Sequence, residues 1–410
     1  MNPLLPERIC VPDAEAHVMP DGRLYLYGSW DLPGNPDYCS DVLHCFSTED
    51  MVHFTDHGVI FQNNKTFRGM PWSEGSVLYA PDAIHKDGKY YLYICGNRNE
   101  EGVAVADSPV GPFSVAEPIV GADGDSIDPA IFVDRDGQAY YLWGQFSLRG
   151  AMLADDMKTI IPGSEKTGIL TEWEHGFHEG SSLRRRGDLY YIVYTDISRG
   201  GATCLSYAYS KHPLGPYTKG GVIIDNVGCD PKSWNNHGSI EEFNGQWYVF
   251  YHRSSHNSNT SRRVCAEPIF FDENGMIREV RQTSCGAETA LPAALIPGRC
   301  VCRMMGNCFV AVRGEHEVLC VQGGSHWGQR DWAEYRQIDF GDAVLTEAIF
   351  RVCGRGTITA MTEDGYVLGR AAFDCETESD CSAALAPIHG MHTVWLFFEG
   401  EFVLHSFGFR

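Results

Sequence analysis

Short runs dense in Tyr, Leu, Val and Trp return along the first part of the chain, each entered from a polar turn in which Gly stands beside Asp or Asn. The turns are Asp21-Gly22, Asp87-Gly88, Asp136-Gly137, Gly187-Asp188 and Asn244-Gly245. The runs that follow read Arg23-Leu-Tyr-Leu-Tyr27, Lys89-Tyr-Tyr-Leu-Tyr93, Gln138-Ala-Tyr-Tyr-Leu-Trp143, Leu189-Tyr-Tyr-Ile-Val-Tyr194 and Gln246-Trp-Tyr-Val-Phe-Tyr251. These residue types suit a pleated, half-buried surface, and the turns between them are hairpin signals. Self-similarity at roughly fifty residues predicts one four-stranded sheet per repeat, five of them set radially as a propeller.

The stretch ahead of each turn belongs to the strand that runs along the central channel, and there the chain is polar. Asp13, Asp82, Asp128, Glu179 and His237 stand six to nine residues before their glycines, one from each repeat. Five-fold geometry gathers them around one funnel. Like charges held close raise one another's pKa, so one group keeps its proton while another stays ionised, as an acid/base pair requires.

Beyond about residue 290 the texture changes. A connector containing Pro and Ala, Ala287 to Pro297, leads to short alternating runs beginning at Cys308, Glu317, Ala348, Thr357 and Thr393. They predict a β-sandwich of roughly 110 residues. The expected organisation is all-β: a five-bladed propeller over 1–290, then a jelly-roll-like sandwich over 298–410, with no long amphipathic helix.

Composition narrows the function. The chain has 32 basic and 54 acidic residues, a formal charge of −22, which argues against nucleic acid and anionic membranes and for a small neutral substrate. No apolar segment long enough to span a membrane and no export signal is visible, so the expected location is the cytoplasm. Fifteen cysteines, an odd number scattered from Cys10 to Cys381 without a Cys-x-x-Cys, read as reduced, buried thiols.

Among the candidates, Asp13 in Val11-Pro-Asp-Ala-Glu-Ala-His17 is the expected base, with Glu15 on the same strand face and deeper as a supporting acid. Glu179, between Phe177 and Gly180-Ser-Ser182, is the expected acid, because a partly desolvated carboxyl near other carboxylates holds its proton. Asp128, in extended backbone before Pro129, is expected to raise the pKa of Glu179 and orient it. Asp82 either lines the channel or builds a turn. Arg262 and Arg263 are placed to reach the funnel or to decorate a loop. Trp30, Trp72, Trp143, Trp173 and Trp234 offer flat faces to sugar rings or pack in the core. The residues taken as sugar contacts are His17, Trp30, Asp31, Asp82, Trp143 and Arg263. His237 is open to three readings: sugar contact, metal ligand or core histidine. One histidine does not define a metal site.

In order and spacing, Asn2-Pro-Leu-Leu-Pro6, Pro12-Asp-Ala-Glu-Ala-His-Val18, Leu26-Tyr-Gly-Ser-Trp-Asp31, Tyr79-Ala-Pro-Asp-Ala-Ile84, Ile127-Asp-Pro-Ala-Ile-Phe132, His178-Glu-Gly-Ser-Ser182 and Asn236-His-Gly-Ser-Ile240 resemble glycoside hydrolase family 43. The resemblance implies a five-bladed propeller and an inverting enzyme acting on arabinose- and xylose-containing glycans. It implies Asp13 as general base, Glu179 as general acid, Asp128 as pKa modulator, and His237 facing one channel ion, often calcium, through water. No organic cofactor is implied. Tyr79 replaces the usual Trp and Trp30 the usual His. The last hundred or so residues resemble a family 6 carbohydrate-binding module, which binds sugar or braces the propeller. The expected function is an inverting exo-glycosidase that removes terminal pentose, α-L-arabinofuranose or β-D-xylose, from small oligosaccharides. The alternatives are a non-catalytic sugar-binding propeller and a furanosidase for galactofuranose or fructofuranose. A fructan-cleaving enzyme is disfavoured because no Asn-Asp-Pro stands near the N-terminus.

Overall fold

The structure, a computed structural model, describes residues 1–122, 126–324 and 330–410. Five antiparallel sheets occupy the first part of the chain, with their strands in sequence order. The first runs from Glu15–Val18 to Phe54–Gln62, the second from Leu78–Lys86 to Glu117–Pro118, and the fourth from Phe177–Arg186 to Thr218–Asp225. These three have four strands. The third, Ala130–Val133 to Arg149–Leu153, and the fifth, Ser239–Phe243 to Ser258–Ile269, have three.

The turns legible in the sequence join first to second strands. Asp87-Gly88 and Asn244-Gly245 have positive φ at both residues (51° and 76°, 52° and 80°), the tight primed turn that matches strand twist. Each aromatic run then forms a second strand whose two faces are both covered. Tyr190, Ile192 and Tyr194 pack toward the third blade, while Tyr191 and Val193 pack toward the fifth. One apolar cluster fills each gap between neighbouring blades, and the cluster of Leu26, Phe46, Phe250 and Val264 joins the first blade to the last.

The first strands of the five blades are neighbours in cyclic order and line the hub. A parallel bridge between Ala14 and Gly238 closes that ring. The N-terminal residues reinforce it from outside: the Leu4 amide donates to the Val264 carbonyl (3.0 Å), and the Asn2 side chain accepts from the Ala266 amide (3.0 Å).

The remaining strands, Leu291–Pro292 to Met391–Phe409, form one hydrogen-bonded sheet of nine. Its spine is the 19-residue strand Met391–Phe409, paired on one edge with Glu347–Thr362 and on the other with Asp331–Asp339 and His316–Val321. The runs at Ala348 and Thr357, which read as two strands, are one strand of 16 residues. It continues through Gly354 (φ 122°), where a Cβ would meet the Glu401 carbonyl oxygen at 2.6 Å, so glycine lets the bulged strands stay in contact. One helix turn, Glu172–His175, and two short 3-10 turns are the helical content among the described residues.

Candidate active site

Asp13, Asp128 and His237 each stand two residues ahead of a hub strand, and Glu179 lies within one, so all four reach the same end of the ring. There they line a cavity of about 200 Å³ with Tyr38, Cys39, Tyr79, Ala80, Ile127, Gln145, Asn235 and Arg262. Backbone is distorted at this rim. Asp13 and Asp128 hold left-handed φ of 58° and 56°, and the strand ladder breaks on both sides of Glu179. Strain of this kind persists where surrounding bonds over-determine a site.

Asp13 is clamped in its ionised form. Arg262 Nη1 donates to Oδ1 (2.9 Å) and Ser29 Oγ to Oδ2 (2.7 Å). His237 and His252 stand 3.7 and 3.8 Å from Oδ1. Burial raises this carboxyl, but Arg262, the histidines and Ser29 together outweigh it and hold Asp13 below the ordinary range. Both imidazoles are themselves pushed down by burial, His252 to about 3, so Arg262 supplies the positive charge. Asp31, fully buried, accepts from Arg262 Nε and Nη2 (2.9 and 3.0 Å) and aims the guanidinium at Asp13.

A second carboxyl of the same cavity, Asp128, holds its proton. Asp128 Oδ2 accepts from the Gly180 amide (3.1 Å), and Glu179 Oε2 accepts from Gln145 Nε2 (2.7 Å). Burial, then the charges of Glu179 and Asp13, push Asp128 well above the usual carboxylate range. Asp128, expected from the sequence as the acid's neighbour, is itself the group that burial and nearby charge raise. Gly180 permits this approach, since its φ is 67° and a Cβ would sit 2.8 Å from the His237 ring.

Other expected contacts lie elsewhere. His17 and Asp82 are farther along their hub strands and bond each other (Nε2 to Oδ1, 2.6 Å) below the cavity rather than lining it. Asp82 also accepts from the Ile131 amide (2.8 Å). Trp143 is fully buried among Tyr93, Tyr141 and Ile131 between blades, on the strand face that packs rather than the hub. Trp30 stacks on His44 (centroids 3.7 Å apart) and leans on the first-to-fifth-blade cluster. Arg263 is corrected by alternation: Arg262 faces the cavity, so its neighbour faces away and donates to Glu317 Oε2 (3.0 Å) of the C-terminal sheet. Of the remaining tryptophans, Trp173 is 95% exposed, while Trp72 packs across Gly102.

Tyr38, Gln145 and Asn235 line the cavity without having been singled out. Tyr38 lies over the Arg262 guanidinium (4.9 Å) in a cation–π contact. Only the position of Asn235, beside His237 ahead of a hub strand, carried a signal.

For a metal ion, the described residues hold one cluster of converging donors, Glu15, His17 and Asp82. Arg184 already stands within it, donating from Nη2 to Glu15 Oε2 (3.0 Å) and to the Ala16 carbonyl (2.8 Å). Nη2 also lies 3.4 Å from His17 Nε2. A guanidinium at that place leaves a divalent ion facing a fixed positive charge. His237 is not part of the cluster, and its nearby carboxylate, Asp13, is claimed by Arg262 and Ser29. The residues present do not fit a resident divalent ion.

A larger groove, about 1460 Å³, opens on the C-terminal sheet, but its aromatics Phe373 and Phe402 are buried and offer no exposed face. The chemistry is at the hub, where one cavity holds a carboxylate kept ionised, Asp13, and a carboxyl that keeps its proton, Asp128, with Glu179 beside it. Splitting a glycosidic bond calls for this division of charge, and fold and site together define a glycoside hydrolase.

Comparison with known proteins sharpens the class. The family model described as glycosyl hydrolases family 43 matches residues 2–277, and the chain belongs to that family. It is 35% identical to a xylosidase/arabinosidase of Thermoclostridium stercorarium over 71% of this chain and 69% of that protein. It is 33% identical to xylosidase/arabinosidase 43A of Humicola insolens over 68% of this chain and 98% of that one. Among solved structures, a family 43 β-xylosidase/α-arabinofuranosidase from a compost metagenome, with xylotriose and calcium-free, is 31% identical with a TM-score of 0.59, covering 68% of this chain and 97% of that one. The arabinoxylan arabinofuranohydrolase of Bacillus subtilis aligns over 100% of this chain and 97% of its own (TM-score 0.58, 23% identity), a likeness of fold that includes the C-terminal sheet.

Proposed function

We propose that the protein is an inverting exo-glycosidase that releases terminal pentose, α-L-arabinofuranosyl or β-D-xylosyl, from short plant-type oligosaccharides. The observation that carries this reading is the 200 Å³ cavity shared by Asp13, Asp128 and Glu179, below the size of most ligand pockets and matched to a single small ring. The names of the relatives, xylosidase and arabinosidase, support pentose.

In this reading Asp13 takes a proton from a water molecule as that water's oxygen bonds the anomeric carbon. Glu179 gives its proton to the departing glycosidic oxygen on the other face. Asp128, anchored by the Gly180 amide, stands beside Glu179, and exchange with solvent returns a proton to Glu179 and takes one from Asp13. Arg262 and Ser29 keep Asp13 ionised and aimed. No step is routed through an ion; Arg262 stands against Asp13 and Arg184 against Glu15. Fifteen free thiols, twelve of them buried, suit a reducing compartment, so we place the enzyme in the cytoplasm acting on imported oligosaccharide.

Glu179→Ala tests the reading. With a poor leaving group, kcat/KM should fall by about 10²–10⁴, the usual contribution of a general acid, while a nitrophenyl glycoside, which needs no protonation to leave, should be largely spared. Equal losses on both substrates would contradict the acid role.

A further inference from the structure

Arg262 is the charge that stands against Asp13, and the backbone just before it is not held by its own strand ladder. In the fifth blade Ser254 lies opposite Arg262, but the next pair is Ser255 with Ser258. Asn259, Thr260 and Ser261 therefore leave the ladder as a bulge, and their polar groups need partners from elsewhere. Two of the three grip the loop that carries Tyr38. Thr260 Oγ1 donates to the Asn35 carbonyl (2.5 Å) and Asn259 Nδ2 to the Tyr38 hydroxyl (2.5 Å).

The third, Ser261, is reached from the C-terminal sheet. The hairpin tip, His256-Asn257, has left-handed φ at both residues (63° and 50°) and lies against the strand Cys308–Arg313. There the His256 amide donates to the Val310 carbonyl (2.6 Å), and the Val312 amide donates to His256 Nε2 (3.3 Å). With Nε2 accepting, the ring proton stands on Nδ1, 2.9 Å from Ser255 Oγ, and that hydroxyl donates to the Ser261 carbonyl (2.8 Å). Burial, then Arg263, push His256 down to about 4, so the ring is neutral, as an acceptor must be; Glu317 and Arg313 are the other charged groups that act on it.

The bonds thus run in one direction, from Val312 to His256, to Ser255, to the carbonyl of the residue before Arg262. Ser255 and Ser261 are fully buried, so loss of one member leaves its neighbour unpaired. None of these residues lines the cavity. We infer that His256 is a positioning residue for the reaction: through Ser255 and Ser261 it fixes where the Arg262 guanidinium stands against Asp13, and so couples the C-terminal sheet to the base. This role rests on the exo-glycosidase reading above, with Asp13 as base, and adds what holds its counter-charge in place.

The test follows the acid limb of kcat/KM against pH on one nitrophenyl pentoside, with thermal unfolding alongside. His256→Ala breaks the row, and His256→Gln, whose amide oxygen can still take the Val312 N–H, keeps the tip docked but leaves Ser255 without its donor. In both, Asp31 still holds the guanidinium, so the release is partial: Asp13 gains its proton more readily and the limb should move to higher pH by about one unit. Below the limb that is about a tenfold lower kcat/KM. His256→Asn, whose shorter amide keeps a donor for Ser255 Oγ, should return the limb toward its wild-type position. Glu317→Ala, which loosens the same sheet but is no member of the row, should lower the melting temperature and leave the limb in place. A limb unmoved in His256→Ala and His256→Gln, a limb moved as far by Glu317→Ala, or a fall in kcat/KM equal at every pH would overturn the positioning role and leave the hydrolase reading standing. A wild type that cleaves no pentoside would overturn that reading and this role with it.

Discussion

At the residue scale, two aspartates of the same type, both buried and both in left-handed backbone, are driven in opposite directions. Asp13 meets a guanidinium aimed by Asp31, and its carboxyl falls. Asp128 meets one backbone amide and two acids, and its carboxyl rises. The acid limb of the kcat/KM profile should therefore lie below the ordinary carboxylate range, since the base stays ionised there. The alkaline limb should lie above that range, since Asp128, raised by burial and by its acidic neighbours, loses its proton late. Asp128→Asn removes the proton-holding partner. We expect the alkaline limb to move to lower pH by roughly one unit and kcat/KM at neutral pH to drop about tenfold, one unit being worth that factor. An unchanged alkaline limb, measured on the same oligosaccharide, would remove Asp128 from this role.

Much of this was legible in the chain and some was not. Asp13, Asp128 and Glu179 betrayed themselves by recurring at one place in each repeat. Arg263 and Trp143 were misplaced for a local reason: strand alternation decides which of two adjacent residues faces the hub, and sequence does not show the phase where a strand is buried on both faces. Gln145 and Tyr38 sit on loops between strands, where no period marks them. Asp31 does not line the site cavity and acts through Arg262 and the Cys39 amide, a dependence visible only once these groups are seen paired.

At the scale of elements, the hub strands present their chemistry where regular pairing stops. The ladder shifts register between Phe177 and Glu179 and again between Glu179 and Ser182. The irregularity turns Glu179 into the cavity and lets the Gly180 amide face Asp128. Gly180→Ala should cost about 1–2 kcal/mol from the left-handed backbone alone. Its Cβ would also press on His237, and displacement of the acid by even about 1 Å should lower kcat by on the order of a hundredfold. Thermal unfolding with kinetics separates the two effects, and a variant with full kcat would show that the close approach is not needed. The same reasoning explains the C-terminal strand Glu347–Thr362, where the two runs read from the sequence are joined through a register shift at Gly354.

At the scale of the molecule, the C-terminal sheet is fastened to the fifth blade by buried charge. Arg263 pairs with Glu317, which also accepts from the Arg8 amide (3.1 Å), and Arg253 Nη1 donates to the Val301 carbonyl (3.0 Å). Removing one partner leaves an uncompensated buried charge, so Glu317→Ala should destabilise the protein by about 3–5 kcal/mol. At temperatures where the variant stays folded, kcat should be that of wild type, since Glu317 points away from the cavity. Denaturant unfolding and initial rates measure both, and a stability equal to wild type would deny the sheet its bracing role.

The account as a whole requires Asp13 and Glu179 to act on opposite faces of one sugar with water between them. Proton NMR of the first sugar released, recorded before mutarotation, tests that most directly. The account predicts the anomer opposite to the substrate's, as when the carboxyls stand roughly 6.5–9.5 Å apart and water attacks directly. Release of the same anomer would mean a covalent intermediate on Asp13 and would contradict it.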